Sequence, residues 1–447
     1  MPAATAQEAP QPNIVLILTD DQRADDVWMM SAMRRRLAGP GLTFERAFVS
    51  DPLCCPSRVS LLSGQYAHST GVWSNRGEDG GWVAFDREGL ASETINVPLH
   101  AAGYRTGYIG KFLNNYQMSG GDVPRGWDRW FVFNHQSGAY YDYEMISSNG
   151  GPSEVLPFGS EPTDYSTDVI AAEASSFIED TAPGKPLFLV VAPYAPHGPP
   201  KPAPRHLGAF DGFTFARSAS YEEANVRDKP RYIRRLPIPL ARPYSMDRLR
   251  RRAETLLAAD EMINGVMRSL RVTGRLENTM IVFTSDNGFL LGEHRWGYKT
   301  VPYDESIRVP LVIRYDPLTS GTTTGALAAN VDLAPTFAEL AGVPFGADGV
   351  SLLPLLTDGS QARKFVPLEA EEFTPGRLTT VPSYCGVRAK AKMFVRYATG
   401  EEELYDLRRD PYQLVSQDDE PSRPLRRLRG IAKAQCDPVP PGFSWTP

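Results

Sequence analysis

Short, unbroken apolar runs recur along the chain. Ile14-Val15-Leu16-Ile17-Leu18, Leu187-Phe188-Leu189-Val190-Val191 and Met280-Ile281-Val282-Phe283-Thr284 are too short for helices and rich in β-branched residues. Each therefore predicts a strand buried on both faces. Each also gives way to polar residues: Thr19-Asp20-Asp21, then Ala195-Pro196-His197-Gly198 after the break at Ala192-Pro193, then Ser285-Asp286-Asn287-Gly288. Between the runs, helical spacing of apolar residues predicts helices over Asp168 to Ile178 and Leu249 to Leu270, the latter through Leu256, Leu257, Met262, Ile263, Val266 and Leu270. Alternating strands and helices imply a mainly parallel sheet covered on both faces. Sites in such sheets collect at the carboxyl ends of strands, where Asp20, His197 and Asp286 would emerge.

Beyond Leu352-Leu353-Pro354-Leu355-Leu356 the pattern changes to shorter strand candidates, Met393 to Tyr397 and Glu403 to Leu407, separated by turns. The expected fold class is α/β, a large mixed and mainly parallel sheet between helices, with a smaller C-terminal α+β domain. The expected boundaries are a spacer at 1–12, a main domain at 13–361 and the smaller domain at 362–447.

Composition narrows the function classes. The 447 residues are 42% hydrophobic and 22% charged, the balance of a globular protein. A formal charge of -6 gives no nucleic-acid footprint. One local exception is the stretch from Arg227 to Arg252, with Arg231, Arg234, Arg235, Arg242, Arg248, Arg250, Arg251 and Arg252. It reads as a solvated loop entering a helix, and a polyanionic substrate would also suit it. No run of eighteen apolar residues occurs, so no membrane span is expected. Met1 to Pro12 has no apolar h-region and reads as the spacer after a signal-peptide cleavage site, hence an expectation of a secreted or periplasmic protein. The four cysteines exclude a disulfide framework. Cys385 and Cys436 are candidates to pair with each other, whereas Cys54 and Cys55 are adjacent.

Asp20-Asp21 and Asp286-Asn287 are common turn formers when taken singly. Placed together at two strand ends they offer oxygen donors suited to Ca²⁺ or Mg²⁺ rather than zinc. Asp51-Pro52-Leu53-Cys54-Cys55-Pro56-Ser57-Arg58 leads into Val59-Ser60-Leu61-Leu62-Ser63-Gly64, a helix with proline in its first turn and glycine at its end. Cys54 would stand just ahead of the helix N-terminus, whose free N–H groups favour an anion, with Arg58 adding positive charge. A thiolate nucleophile and an inert buried thiol both remain open for such a cysteine on these grounds.

Cys54-Cys55-Pro56-Ser57-Arg58 resembles the C-x-P-S-R signature of the sulfatases, followed by Leu62-Ser63-Gly64-Gln65-Tyr66. The resemblance begins at Pro12-Asn13-Ile14-Val15-Leu16-Ile17-Leu18-Thr19-Asp20-Asp21. It continues through Gly110-Lys111, Ala195-Pro196-His197, Ser285-Asp286-Asn287-Gly288, Gly292-Glu293-His294, Lys299 and Tyr303 to Pro310. Glu403 to Leu407 and Asp410-Pro411-Tyr412-Gln413-Leu414 extend it into the C-terminal part.

This resemblance implies an alkaline-phosphatase-like fold, with residues 13–361 as the catalytic domain, and hydrolysis of sulfate monoesters. It implies that Cys54 is oxidised to formylglycine by a formylglycine-generating enzyme. Asp20, Asp21, Asp286 and Asn287 would bind a divalent metal, Ca²⁺ foremost or Mg²⁺, together with the residue at Cys54. Arg58, Lys111, His197 and Lys299 would surround the sulfate, and His294 and Asn114 would contact substrate. One hydroxyl of the hydrated aldehyde would attack sulfur, His197 with Lys299 would protonate the leaving oxygen, and loss of the second hydroxyl's proton would release sulfate. Many family members carry histidine two residues after the lysine matching Lys111, whereas this chain has Phe112-Leu113-Asn114-Asn115-Tyr116. That pattern resembles the glucosamine-6-sulfatase and heparan endosulfatase branch, implying 6-O-sulfated glucosamine-type sugars, and makes His135 the candidate replacement base. The alternatives are a phosphonate monoester or phosphodiester hydrolase of the same superfamily and a non-catalytic glycan-binding relative. The full polar set argues against the second.

Overall fold

The computed structural model describes residues 11–134, 140–239, 244–360, 363–376, 379–417 and 422–446. Fourteen strands form two sheets among these residues. The first holds β1 (Asn13–Thr19), β2 (Leu42–Phe48), β3 (Arg105–Gly110), β4 (Arg129–Phe133), β5 (Tyr143–Ser148), β6 (Glu154–Phe158), β7 (Leu187–Ala192), β8 (Thr279–Ser285), β9 (Leu311–Arg314) and β10 (Thr322–Ala329). Their order is β10-β2-β9-β8-β1-β7-β3-β4-β5-β6. The five central strands, from β8 to β4, run parallel, while β9 and β5 pair antiparallel on either side.

The three apolar runs read in the sequence are β1, β7 and β8, side by side at the centre. Every residue of β1 is buried because alternate side chains feed two different cores. Ile14, Leu16 and Leu18 join one core with Val59, Leu62 and Phe337, from α1 (Cys54–Ser63) and the helix Leu333–Ala341. Val15 and Ile17 join the other with Phe177, Leu256, Ile263 and Val266, from α2 (Ser166–Asp180) and α3 (Met246–Val272). This is the sheet covered by helices on both faces that the alternation implied.

The second sheet is antiparallel, β11 (Phe365–Ala370), β12 (Tyr384–Ala389), β13 (Lys392–Tyr397) and β14 (Glu402–Asp406). One face packs toward the first sheet through Val366, Val395 and Tyr405 with Trp296 and Tyr303. The other is covered by the helix Arg423–Gln435 through Leu425, Leu428 and Ala432. Cys385 on β12 and Cys436 just past that helix form a disulfide with 6.3 Å between Cα atoms. No helix among the described residues is long and apolar enough to cross a membrane.

Candidate active site

Strand endings assemble the site. At the carboxyl end of β1 the Asp20 N–H donates to the Ala195 carbonyl beyond β7, and the Asp286 N–H at the end of β8 donates to the Thr19 carbonyl. Lys111, directly after β3, donates its N–H to the Ala192 carbonyl. The parallel register thus brings Asp20, Asp21, Lys111, His197, Asp286 and Asn287 to one edge.

Helix α1 delivers Cys54 to the same edge. Cys54 is its first residue, one step inside the helix rather than just ahead of it. Pro56 fits there because the first-turn N–H groups have no intrahelical acceptor. Asn75 supplies the missing cap from a distance, its Oδ1 accepting from the Cys55 N–H at 2.8 Å. Gly64 ends the helix at φ 68°, donating to the Ser60 carbonyl.

Cys54 Sγ lies 2.8 Å from Lys299 Nζ, 3.4 Å from Lys111 Nζ and 3.7 Å from Asp20 Oδ1. Lys111 Nζ also pairs with Asp20, and Lys299 Nζ with Asp21. Arg58 is fully buried beneath them: its Nε donates to Asp286 Oδ2 at 2.8 Å and its Nη1 to the Lys111 carbonyl at 2.6 Å. Asp286 Oδ1 accepts the Asp21 N–H at 3.0 Å. The Asn287 amide donates to Asp21 Oδ1 at 2.7 Å, leaving its own Oδ1 3.4 Å from Lys299 Nζ. His197 Nε2 stands 3.6 Å from Asp21 Oδ2, and its buried Nδ1 has no hydrogen-bond partner.

The electrostatics follow from burial and proximity. Burial opposes charge on Asp20, yet Lys111, then His197, Arg58 and Lys299, hold its carboxyl well below the usual range. For Asp286, burial and the neighbouring Asp20 prevail over Arg58 and raise the carboxyl. Burial pushes the Cys54 thiol up to about 12 despite both lysines, and the Cys55 thiol to about 11. An unmodified Cys54 is therefore protonated at neutral pH and a poor nucleophile. His197 is shifted below the ordinary histidine value, chiefly by burial.

Donor atoms of Asp20, Asp21, Cys54 and His197 all lie within 4.8 Å of one another, so a cation can be shared among them. Three buried carboxylates, Asp20, Asp21 and Asp286, face three buried basic groups, Arg58, Lys111 and Lys299. The set is formally neutral. A divalent cation entering it would be balanced by two further negative charges, one from a bound sulfate ester and one from a deprotonated nucleophile.

The site floors a cleft of about 1340 Å³. Asp21, Cys54, Lys111, Asn114 and His197 line it, with Tyr194, Tyr244, Arg248, Phe289 and Tyr298 on its walls and Glu371 to Gly376 closing one side. Arg58, Asp20, Asp286 and Asn287 lie fully buried below. His294 is not brought to the cleft: it is buried, 2.8 Å from Glu223 and stacked on Tyr303 with ring centres 4.0 Å apart. His135 lies outside the described residues. Sequence reasoning missed Asn75, Tyr194, Tyr298 and the 371–376 segment, which no local pattern marks, and read Arg252 only as one of a basic stretch.

The family model described as Sulfatase matches residues 12–343, most of the chain. This chain belongs to the sulfatase family. As a sulfatase it is a sulfuric ester hydrolase. A second model, described as N-sulphoglucosamine sulphohydrolase, C-terminal, matches residues 292–425. The Volvox carteri arylsulfatase is 32% identical over 93% of this chain and 73% of its own length. Human N-acetylglucosamine-6-sulfatase is 33% identical over 83% of this chain and 69% of its own. The Drosophila melanogaster extracellular sulfatase homolog is 35% identical over 79% of this chain, which spans only 32% of that longer protein. Among solved structures, one determined in complex with its substrate D-glucosamine-2-N,6-O-disulfate superposes with a TM-score of 0.81 and 26% identity, covering 96% of this chain and 98% of that one. The large sheet flanked by helices, with the small antiparallel sheet after it, is the alkaline-phosphatase-like sulfatase fold. The phosphonate monoester hydrolase of Agrobacterium radiobacter shares it at a TM-score of 0.71 and 19% identity, covering 95% of this chain and 94% of that one.

Proposed function

We propose that this sulfatase removes the 6-O-sulfate of a glucosamine-type sugar, using formylglycine made from Cys54 and a divalent cation. The observation that carries the chemistry is the meeting of Cys54 with Lys111, Lys299 and the buried carboxylates at the cleft floor. The sugar assignment draws support from the N-acetylglucosamine-6-sulfatase relatives and the disulfated glucosamine complex.

The carboxylates of Asp20 and Asp21, gathered with Cys54 and His197, suit a hard cation. Asp20, Asp21, Asp286 and Asn287 would hold it through oxygen, joined by oxygen at residue 54 once the thiol is oxidised, which favours Ca²⁺ or Mg²⁺. When bound, the cation supplies Lewis-acid polarisation of sulfate oxygens and lowers the pKa of a coordinated hydroxyl. The modified residue supplies that hydroxyl in hydrated form.

The chain's own residues do the remainder. Lys111 and Lys299 offer fixed positive charge to the sulfate oxygens, preorganised by their carboxylate partners. Arg58 positions Asp286 and the Lys111 backbone rather than facing the cleft. His197, on the cleft wall with its Nε2 3.6 Å from Asp21 Oδ2, is the proton donor to the leaving sugar oxygen, with Lys299 as its alternate. Asn114 lies where it can contact the sugar, His294 acts through the buried loop it braces, and His135 remains the candidate base for sulfate release.

Residues 13–361 form the catalytic unit and 362–447 the smaller one in this reading. A formylglycine-generating enzyme matures the chain. The Cys385–Cys436 disulfide suits a secreted or periplasmic location. Peptide mass spectrometry of the Cys54 peptide, with kinetics on matched sulfate, phosphate and phosphonate esters, tests the proposal. An aldehyde at residue 54 and preference for 6-O-sulfated glucosamine are expected. Intact thiol in active enzyme would overturn the formylglycine assignment, and faster phosphonate turnover would favour the phosphonate hydrolase reading.

A further inference from the structure

The basic stretch between Arg227 and Arg252 divides in the fold. Arg234 pairs with Glu401 at 3.1 Å, and Arg252 is buried against Asp21 and Pro196. Arg248 stays exposed on the cleft wall with its guanidinium 4.2 Å from the centre of the Tyr244 ring. Arg250 Nε donates to the Phe213 carbonyl at 2.9 Å.

That carbonyl belongs to an unusual piece of surface. Trp28 is 43% exposed and Phe213 41%, their rings 5.3 Å apart. Phe210 meets Trp28 edge-on at 6.1 Å, and Phe215 meets Phe213 at 4.9 Å. Phe215 also packs against the cluster of Tyr244, Leu249 and Phe289, of which Tyr244 and Phe289 line the cleft. The aromatic surface thus begins one ring away from the cleft wall. A single exposed aromatic needs no explanation, but two exposed rings in contact with each other and backed by the part-buried Phe210 and Phe215 beside an active site do. Nearby acids are largely engaged: Asp247 pairs with Arg251 at 3.2 Å and Asp25 with Arg308 at 2.8 Å, while Asp211 faces solvent.

We propose that Trp28 and Phe213, with Arg250 at their edge and Arg248 on the adjoining cleft wall, bind the sugars flanking the sulfated unit, so that the enzyme acts on sulfated oligosaccharides. The inference rests on the sugar-sulfate reading above and extends it from one sugar to a chain. Aromatic faces stack on the C–H faces of pyranose rings, and guanidinium groups pair with sulfates along the same chain. Continuity with the cleft and the positive rim select this occupant over an uncharged apolar partner.

The test compares a 6-O-sulfated glucosamine monosaccharide with a tetrasaccharide ending in that sugar. Wild-type kcat/KM is expected to be about tenfold higher on the tetrasaccharide. Trp28→Ala/Phe213→Ala should abolish that advantage and leave monosaccharide kinetics alone. The single Phe213→Ser variant, altered only at an exposed loop position, should show part of the loss and guards against misfolding of the double variant. Equal rates on both sugars in wild type, or an undiminished advantage in the variants, would overturn the proposal. If neither sugar is hydrolysed while an aryl sulfate is, the sugar reading itself fails. Calorimetric binding of the tetrasaccharide then decides the surface: weaker binding to the variant supports it, and equal affinity refutes it.

Discussion

The indole N–H of Trp296 donates to the backbone carbonyl of Lys299 at 3.0 Å, with Trp296 wholly buried. This bond fixes the turn that aims Lys299 Nζ at Cys54 and Asp21. Trp296→Phe keeps an aromatic ring but removes the donor and leaves the carbonyl unpaired. We expect a stability loss of about 1–3 kcal/mol. Because Lys299 is misplaced, kcat should fall at least roughly tenfold with KM little changed. Steady-state kinetics with thermal melting checks this. A variant that melts lower but turns over normally would show that Lys299 needs no such brace.

The two adjacent cysteines should separate cleanly. Cys54→Ser is expected to lose the aldehyde and nearly all activity. Cys55 has its Sγ turned away, accepting the Asn114 N–H at 3.2 Å. Cys55→Ala should keep the aldehyde and activity, with a stability loss of about 1–2 kcal/mol for the unpaired N–H and small void. Peptide mass spectrometry and activity on an aryl sulfate read both outcomes.

Metal removal gives a third expectation. Chelation should abolish turnover, and Ca²⁺ or Mg²⁺ should restore it, since the proposed ligands are oxygens. Without the cation, the lysines and carboxylates neutralise one another, so the apo protein should melt only modestly lower. Metal analysis finding stoichiometric zinc, with activity lost on removing zinc alone, would reject the assignment.

A pH-dependent contact lies away from the site. His68 faces Glu369 twice, its backbone N–H at 3.3 Å and its Nδ1 at 2.7 Å, linking the segment after α1 to β11. Burial disfavours the imidazolium, but the hydrogen bond and charge of Glu369, aided by Asp348 and Asp437, raise the His68 pKa above 6.5. A raised folded-state pKa means the stabilisation is complete below the unfolded value and fades as pH rises through the folded one. The wild-type melting temperature should therefore fall as pH rises above about 6.5, by an amount missing in His68→Asn. Parallel melting curves for the two proteins would refute the contribution.

What the sequence disclosed followed local physics. The β1, β7 and β8 runs are apolar at every position because both sheet faces are covered, so their polar endings marked Asp20, Asp21, Asp286 and Asn287. Strand β3, with two glycines and Arg105, carries no such run, and Lys111 was reached through family resemblance alone. The ends of α2 and α3 extend beyond the apolar periodicity: Ser166 and Thr167 are buried but polar, and the last residues of both helices face solvent. Asn75 and Trp296 were invisible because their roles depend on partners that only the fold supplies. His294 looked like a substrate contact from its motif, yet the backbone turns it inward to Glu223.

Arg252 shows how a residue read only as part of a basic stretch can govern the site. It sits on α3, 231 residues from Asp21 in sequence, and its Nη2 donates to the Asp21 carbonyl. The same nitrogen meets Asp26 Oδ2 at 3.0 Å, while Nη1 donates to the Pro196 carbonyl at 3.1 Å. One planar guanidinium therefore ties together the loops after β1 and β7, which carry a proposed metal ligand and the proposed acid His197. Lysine keeps the charge but has a single nitrogen and cannot span both carbonyls in this geometry. Arg252→Lys should fold, with a stability loss of about 1–3 kcal/mol from the unpaired buried carbonyl. Both loops should drift, so kcat should drop roughly tenfold to a hundredfold and the concentration of Ca²⁺ needed for half-activity should rise. Titrating Ca²⁺ into the chelated variant separates the two effects. If saturating Ca²⁺ restores full kcat, the clamp serves the metal loop alone. If kcat stays low at saturation, it also places His197. A variant indistinguishable from wild type in both readouts would show that the loops hold their positions without Arg252.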